Sequence, residues 1–435
     1  MSLPVGCAVE GAEAGPAGLS LPPQLADDGS ARPWLRRALA LARRGAGLTS
    51  PNPAVGAVVV RDGRVVGEGF HRRAGGPHAE VVALAQAGEL ARGATLVVTL
   101  EPCDHWGRTP PCTEAILRAG VARVVACTVD PNPRVRGRGF ARLQDAGVEV
   151  LLAPPWAAQR ARALNEAYEK YITTGIPYVT CKAAMSLDGK IAATSGQARW
   201  ITGPQARRLA HRLRALHDAV MVGVGTVLAD DPMLNARPGR RAPARQPLRV
   251  VVDSLARTPP DAALFHPVGP TGPVLVAATQ RAPAGRVAAL RDAGAEVLLL
   301  PADDHGRVDL RELLAALGRR AITSILVEGG GTLHAALLEA GLVDRVAVFI
   351  APKILGGQHA PTFVEGQGCA SVEQAWPVVS WHCRRLPGGE LFVEGRVQAR
   401  PTQPLGVGRQ PAWADAQSAA GPRWPVLLTA GVARL

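Results

Sequence analysis

Aromatic side chains make up only 4% of this 435-residue chain, and lysine occurs four times, at Lys170, Lys182, Lys190 and Lys353. The first scarcity leaves core packing to Val, Leu, Ile and Ala. The second means that 45 of the 49 cationic residues are arginine. No apolar run approaches the length of a bilayer-spanning helix, so a membrane partner is not expected. The N-terminus lacks a basic stretch leading into an apolar one, as a secretory signal would have. Glu10, Glu13, Asp27 and Asp28 are out of keeping with an organelle transit peptide, so the expected location is cytoplasmic. The seven cysteines (Cys7, Cys103, Cys112, Cys127, Cys181, Cys369 and Cys383) are odd in number and widely spaced. That is no disulfide framework and fits a reducing compartment.

A formal charge of +13 and a pI near 10.3 would suit a nucleic-acid partner. The arginines are scattered, however, in short pairs such as Arg36-Arg37 and Arg207-Arg208. No basic stripe interleaved with aromatics is present, so the charge reads as compositional bias and nucleic acid is not an expected partner.

What is present is enough apolar sequence, 47%, for two folded domains in a chain too long for one. Residues 1–30 and 398–435 are rich in Gly, Ala and Pro without periodicity and read as a disordered extension and tail. A helix is expected over 33–45, then a hairpin of strands 55–61 and 65–70 turning at Asp62-Gly63. Helix and strand alternate from there to about residue 153. One bridging helix is expected within 154–173, and a second alternating series runs over 174–397. Both halves therefore read as α/β, the second with a mostly parallel sheet.

Chemistry concentrates in Pro77-His78-Ala79-Glu80 and in the stretch from Glu101-Pro102-Cys103 to Pro110-Pro111-Cys112. An imidazole and two thiolates suit Zn²⁺ with one position left for water, which loses a proton near pH 7 there. Glu80 would carry that proton to a leaving amine. His-x-Glu followed by Pro-Cys is the zinc deaminase signature. The proposed ligands are His78, Cys103 and Cys112, with His105 as an alternative. Eight residues separate Cys103 from Cys112, where the general signature has two. A buried thiol pair beside a chance His-Ala-Glu is the competing interpretation.

With these motifs the chain resembles the bifunctional pyrimidine deaminase/reductase family of riboflavin biosynthesis. The likeness is carried by Pro51-Asn52-Pro53-Ala54-Val55-Gly56, Pro77–Glu80, Thr99–Cys103, Gly107-Arg108-Thr109-Pro110-Pro111-Cys112 and Asp130-Pro131-Asn132-Pro133. The long cysteine spacing is this family's own variant. Asp104-His105-Trp106 departs from it, since a small residue and two histidines are frequent there. In the second half the matching stretches are Lys182–Gly189, Trp200-Ile201-Thr202, Gly225–Pro232, Val327–Thr332, Ala351-Pro352-Lys353 and Leu355-Gly356-Gly357.

The resemblance implies a cytidine-deaminase-like α/β/α domain over 31–153 and a dihydrofolate-reductase-like α/β domain over 174–397. It implies one Zn²⁺ per chain, NADPH, a small pyrimidine ribose-phosphate substrate and a homo-oligomer. Asn52 would read the pyrimidine edge. Cofactor contacts carry over to Ala184, Trp200, Thr226, Asp230, Gly330, Gly331, Thr332, Leu333, His334, Ala335 and Ala336. Substrate contacts carry over to Ala198, Arg214, Leu234, Arg237 and Glu328, with Ala198 standing where a hydroxyl residue is common. By itself, Gly329–Gly331 reads equally as a tight turn or as a phosphate cradle ahead of a helix. Arg214 and Arg237 would clamp a sugar phosphate. A nucleic-acid base deaminase and a non-catalytic zinc scaffold are the alternatives from other classes.

Overall fold

In the computed structural model the described residues are 21–398, apart from 28, 108, 240–242, 244 and 267–268. The expected tail after 398 and most of the expected N-terminal extension lie outside them. The extension is shorter than expected at its inner end. Leu25 N–H donates to Leu152 O at 2.7 Å, and Leu152 N–H donates to Pro23 O at 2.9 Å, so backbone pairing begins near Pro23.

The chain divides into two units. The described part of the first comprises 21–46 and Ala54–Asn165; that of the second comprises Gly47–Pro53 and 166–398.

The first unit opens with α1 (Arg32–Gly45), which buries Leu35, Ala38, Leu39 and Ala42 at helical spacing. Strands β1 (Gly56–Arg61) and β2 (Arg64–Phe70) form the expected hairpin. Asp62 and Gly63 both take positive φ, 49° and 72°, as a two-residue turn of this kind requires. Next come α2 (Ala79–Ala87), β3 (Thr95–Val98), α3 (Cys112–Ala119), β4 (Arg123–Ala126), α4 (Arg138–Asp145), β5 (Glu149–Leu152) and α5 (Pro155–Leu164). The sheet order is β2-β1-β3-β4-β5; β1 is antiparallel to both neighbours, and β3, β4 and β5 are parallel. Ala57 and Val59 of β1 face a core shared with α2, α3 and α4, whereas Val58 and Val60 face one shared with α1 and α5. Period-two alternation thus serves two cores and makes the three-layer sandwich.

The single helix expected over 154–173 is two helices, α5 and α6 (Glu166–Thr174). The break falls at a residue engaged by a distant part of the chain. Asn165 is buried, its Oδ1 accepts Ala54 N–H at 2.8 Å, and its Nδ2 donates to Ala54 O at 3.1 Å. An amide paired with main chain in this way competes with helix continuation.

The second unit continues with β6 (Tyr178–Met185), α7 (Pro204–Leu216), β7 (Ala219–Gly223), α8 (Val224–Asp230), β8 (Leu248–Val252), β9 (Val274–Thr279) and α9 (Ala284–Asp292). It ends with β10 (Glu296–Leu300), α10 (Leu310–Arg319), β11 (Ser324–Val327), α11 (Gly331–Glu339), β12 (Arg345–Ile350), β13 (Val378–Arg385) and β14 (Leu391–Val397). The order β10-β9-β8-β7-β11-β6-β12 is parallel throughout, and β14 and β13 add antiparallel to one edge. The edge strand β13 escapes a sequence reading because its residues are mostly exposed and its pairing is bulged between Val379 and His382.

Helix α2, which starts next to His78, packs on β2 where a side chain would not fit. A methyl on Gly69 would sit 2.5 Å from Ala79 O and 2.7 Å from Val82 Cβ. Gly69→Ala is therefore expected to destabilise the first unit by about 1–3 kcal/mol. Calorimetry should show its transition several degrees lower with the second unit's transition unmoved; an unchanged first transition would refute the close-packing argument.

Candidate functional site

The metal-ligand candidates come from three places in the first unit. His78 precedes the first turn of α2, Cys103 follows the loop after β3, and Cys112 is the first residue of α3. Their donor atoms all lie within 4.8 Å of one another. His78 Nδ1 is 3.2 Å from Cys112 Sγ and 3.6 Å from Cys103 Sγ, while Nε2 is 3.4 Å from Thr109 Oγ1. Nδ1 is thus the nitrogen that faces both sulfurs. Among the described residues this is the one such cluster, and His105, the alternative ligand, is not part of it.

Protonation suits a metal. The Cys103 thiol is pushed down to about 4, first by the hydrogen bond from the Cys112 thiol, with His78 adding to it. The Cys112 thiol is pushed up by holding that shared proton and by burial. His78 is raised by its hydrogen bond to Cys103. Glu80 lies in the first turn of α2, only 3% exposed, and burial pushes its carboxyl above the usual range. One thiolate, one helix-terminal thiol and one oriented imidazole fit a zinc ion with one position left over.

Cys103 is held by a residue to which the sequence reading gave no role. Glu101, 2% exposed, accepts N–H from Asp130 at 3.1 Å, Gly137 at 2.9 Å and Gly139 at 3.0 Å. A Cβ on Gly139 would collide with Pro102 O, so this segment closes directly on the ligand loop. Asp104, at the other side of Cys103, accepts from Thr113 Oγ1 at 2.5 Å and pairs with Arg142 at 3.2 Å. Both stretches were visible as motifs, Leu100-Glu101-Pro102-Cys103 and Asp130-Pro131-Asn132-Pro133, but their contact is tertiary. Asn52 falls in Gly47–Pro53, which groups with the second unit, and its N–H donates to Thr49 O at 2.8 Å.

The second unit holds a cavity of about 1610 Å³. Its wall includes Ala183 and Ala184 on β6, Gly223 closing β7, Val252 and Ser254 around the end of β8, and Glu328–Gly330 after β11, all toward the carboxyl ends of parallel strands. Of the expected cofactor residues, Ala184, Trp200, Thr226, Asp230, Gly330, Thr332, Leu333 and Ala336 are on the wall. Gly331, His334 and Ala335 are not; they are buried on the inner side of α11. His334 is a core residue whose ring nitrogens lie 3.0 Å from Phe363 O and 3.3 Å from Val327 O. A helix turns one side-chain face to a cavity, so within this run the wall takes its side chains from Thr332, Leu333 and Ala336.

The expected substrate residues Ala198, Arg214, Leu234, Arg237 and Glu328 all line the cavity. Leu234 takes φ +51°, unusual for a branched side chain. Arg214 is less free than a phosphate clamp would need to be. Its Nε and a terminal nitrogen pair with Glu328 at 2.7 and 3.0 Å, and the other terminal nitrogen donates to Asn235 O at 3.0 Å. Lys182 Nζ adds a second cation to Glu328 at 3.3 Å. Although burial opposes it, Arg214 and Lys182 hold the Glu328 carboxyl far below the usual carboxylate range. Arg237 is exposed, and Trp200, 64% exposed, carries Arg207 stacked 4.3 Å over its ring.

Cys112 keeps its proton at neutral pH, whereas Cys103 has lost its own above about pH 4. Loading a metal therefore expels one proton, and a second from His78 at lower pH. Apparent zinc affinity is expected to rise about tenfold per pH unit between pH 8 and 9, and more steeply near pH 6. Competition with a chromophoric chelator measures this; an affinity flat over that range would show both thiols already ionised.

Residues 30–128 match the family of the cytidine and deoxycytidylate deaminase zinc-binding region, and residues 177–385 match the RibD C-terminal domain. The riboflavin biosynthesis protein RibD of Escherichia coli (strain K12) is 48% identical over 74% of this chain and 88% of its own length. That of Actinobacillus pleuropneumoniae is 45% identical over 79% and 89%. Among solved structures, Acinetobacter baumannii RibD superposes with a TM-score of 0.74 at 38% identity, over 85% of this chain and 99% of its own. The Thermotoga maritima diaminohydroxyphosphoribosylaminopyrimidine deaminase/5-amino-6-(5-phosphoribosylamino)uracil reductase does so at 0.73 and 36%, with the same coverage. With its zinc-type ligand cluster in one unit and its cavity in the other, the chain belongs to the RibD family of bifunctional deaminase/reductases of riboflavin biosynthesis.

Proposed function

We propose that each unit carries one active site. In the first, His78 Nδ1, Cys103 Sγ and Cys112 Sγ hold one zinc ion, and Glu80 is the catalytic acid and base. The convergence of those three donors next to the buried Glu80, whose carboxyl burial raises above the usual range, is the observation that carries this reading. Zinc, when bound, supplies Lewis acidity that lowers the pKa of water to about 7. The substrate is 2,5-diamino-6-(5-phosphoribosylamino)pyrimidin-4-one. Glu80 takes a proton from the attacking water as its oxygen bonds to the amine-bearing ring carbon. It then gives that proton to the nitrogen, so that the C–N bond breaks and ammonia leaves. Glu101 and Asp104 are positioning residues that fix the Cys103 loop.

In the second unit, the cavity holds NADPH with its pyrophosphate over Gly329-Gly330 and the N-terminus of α11. NADPH supplies the hydride that converts the ribosyl to the ribityl group. Thr226, Asp230, Thr332, Leu333 and Ala336 form the cofactor wall, with Ala184 and Trp200 beside it. Glu328, oriented by Arg214 and Lys182, meets the sugar; Arg237 reads its phosphate, and Ala198 and Leu234 shape the remaining surface. The product is 5-amino-6-(5-phosphoribitylamino)uracil. The active form is a homo-oligomer working in the cytoplasm.

The test is a coupled assay on the full chain with the diamino substrate and NADPH, with and without chelator. Chelation should abolish ammonia release while reduction of pre-deaminated substrate persists. Glu80→Gln should keep zinc and lose ammonia release by about 10²–10⁴-fold. Full release from that variant would overturn the role given to Glu80, and chelator-sensitive reduction would overturn the division of labour.

A further inference from the structure

One end of the second unit's cavity is built by the segments that follow β8, β9 and β10, three adjacent parallel strands. These segments are laced together. Ser254 O accepts from Thr279 N at 3.1 Å and Thr279 Oγ1 at 2.9 Å, and Ser254 Oγ accepts from Val308 N at 3.0 Å. Asp253, fully buried, accepts from Thr258 N at 2.6 Å and Thr258 Oγ1 at 2.8 Å. Ala256 within that turn takes φ +52°, and the next residue, Arg257, is exposed on the cavity wall.

Two further arginines stand at this end, Arg281 after β9 and Arg307 after β10. The Arg281 guanidinium lies against the backbone of Gly306, where an added Cβ would strike it. Arg307 is already offset by Asp303 at 3.1 Å. Among the described residues, no ion pair joins Arg257 or Arg281 to a carboxylate. A rigid frame thus presents two uncompensated guanidinium groups to one end of a ligand cavity, which is the chemistry of a phosphate monoester site.

We propose that Arg257 and Arg281 bind the 2′-phosphate of NADPH and set the preference for it over NADH. The inference rests on placing that cofactor in this cavity. The geometry gives its direction. From the glycine turn after β11, β8 is two strands away and β9 three, about 10 and 14 Å at ordinary strand spacing. On the other side of β11 lies β6 with Lys182, which pairs with Glu328. The adenosine half therefore runs toward β8 and β9, and the nicotinamide half toward β6 and the Lys182–Glu328–Arg214 cluster. A second arginine group, Arg207, Arg208 and Arg237, lines the cavity from α7 and the loop before β8 and is left for the substrate's phosphate.

Calorimetry on the zinc-loaded full chain tests this with 2′,5′-ADP and 5′-ADP as probes. The wild-type chain should bind 2′,5′-ADP more tightly. Arg257→Ala and Arg281→Ala should each cut that ratio by about tenfold, and the double variant should remove it, leaving 5′-ADP affinity within about twofold. Arg281→Lys should keep part of the ratio, and unchanged zinc content and melting temperature would report an intact fold. A double variant that retains the wild-type ratio sinks the assignment of these residues. So does a wild-type chain that binds NADPH without preferring 2′,5′-ADP; in both cases the cofactor reading stands. Failure of the wild-type chain to bind NADPH at all would remove that reading and this inference together.

Discussion

Buried carboxylates hold both units in working shape. Glu101 is the clearest case. Its two oxygens, out of water, receive three main-chain N–H groups from 130–139, and the loop that carries Cys103 leaves from the next residue. A buried acceptor satisfied by backbone donors cannot be moved without stranding polar groups, so the position of Cys103 follows from it. Asp218 does the same for the second unit, accepting from Thr323 N and Oγ1 at 2.7 Å each, from Ser50 Oγ at 2.6 Å and from Arg245 at 2.8 Å. Asp253 repeats the device at the end of the cavity that follows β8.

The same residue type does opposite chemistry depending on what faces it. Glu80 is enclosed without a cation in hydrogen-bond contact; burial wins, and its proton is retained more strongly than in water. Glu328 is largely enclosed as well, its side chain 8% exposed, but faces Arg214 and Lys182, and the two cations override burial and keep it charged. A carboxyl that holds its proton more tightly and one that stays charged are thereby distinguished within one chain by their neighbours. Lys182 and Arg214 are in turn committed to Glu328, whereas Arg237 is exposed on the same cavity wall.

Much of this was legible from local pattern. The Asp62-Gly63 turn, the burial of α1, the alternation of both halves and the three-donor cluster all follow from spacing and residue type. The break at Asn165 was not, because the helical period runs through it; the side chain's partner, Ala54, is more than a hundred residues away. Strand β13 was missed because an exposed edge carries little apolar alternation. The resemblance gives the whole run Gly330–Ala336 to the cofactor, and three of its members face inward. Only the family resemblance singles out Arg214 and Arg237, since a residue type so abundant carries no contrast by itself; Arg257 and Arg281 stand out only once their surroundings are known.

The sequence alone determined the chemistry available: which side chains can ligate a metal, which carboxylate follows the histidine, where a glycine turn precedes a helix. Those depend on neighbours within a few residues, where chain geometry leaves little choice. Tertiary structure decided which groups are charged, which arginines are spent and which helix face meets the cavity. Each of these depends on desolvation and on partners distant in the chain, and neither quantity is written in local spacing.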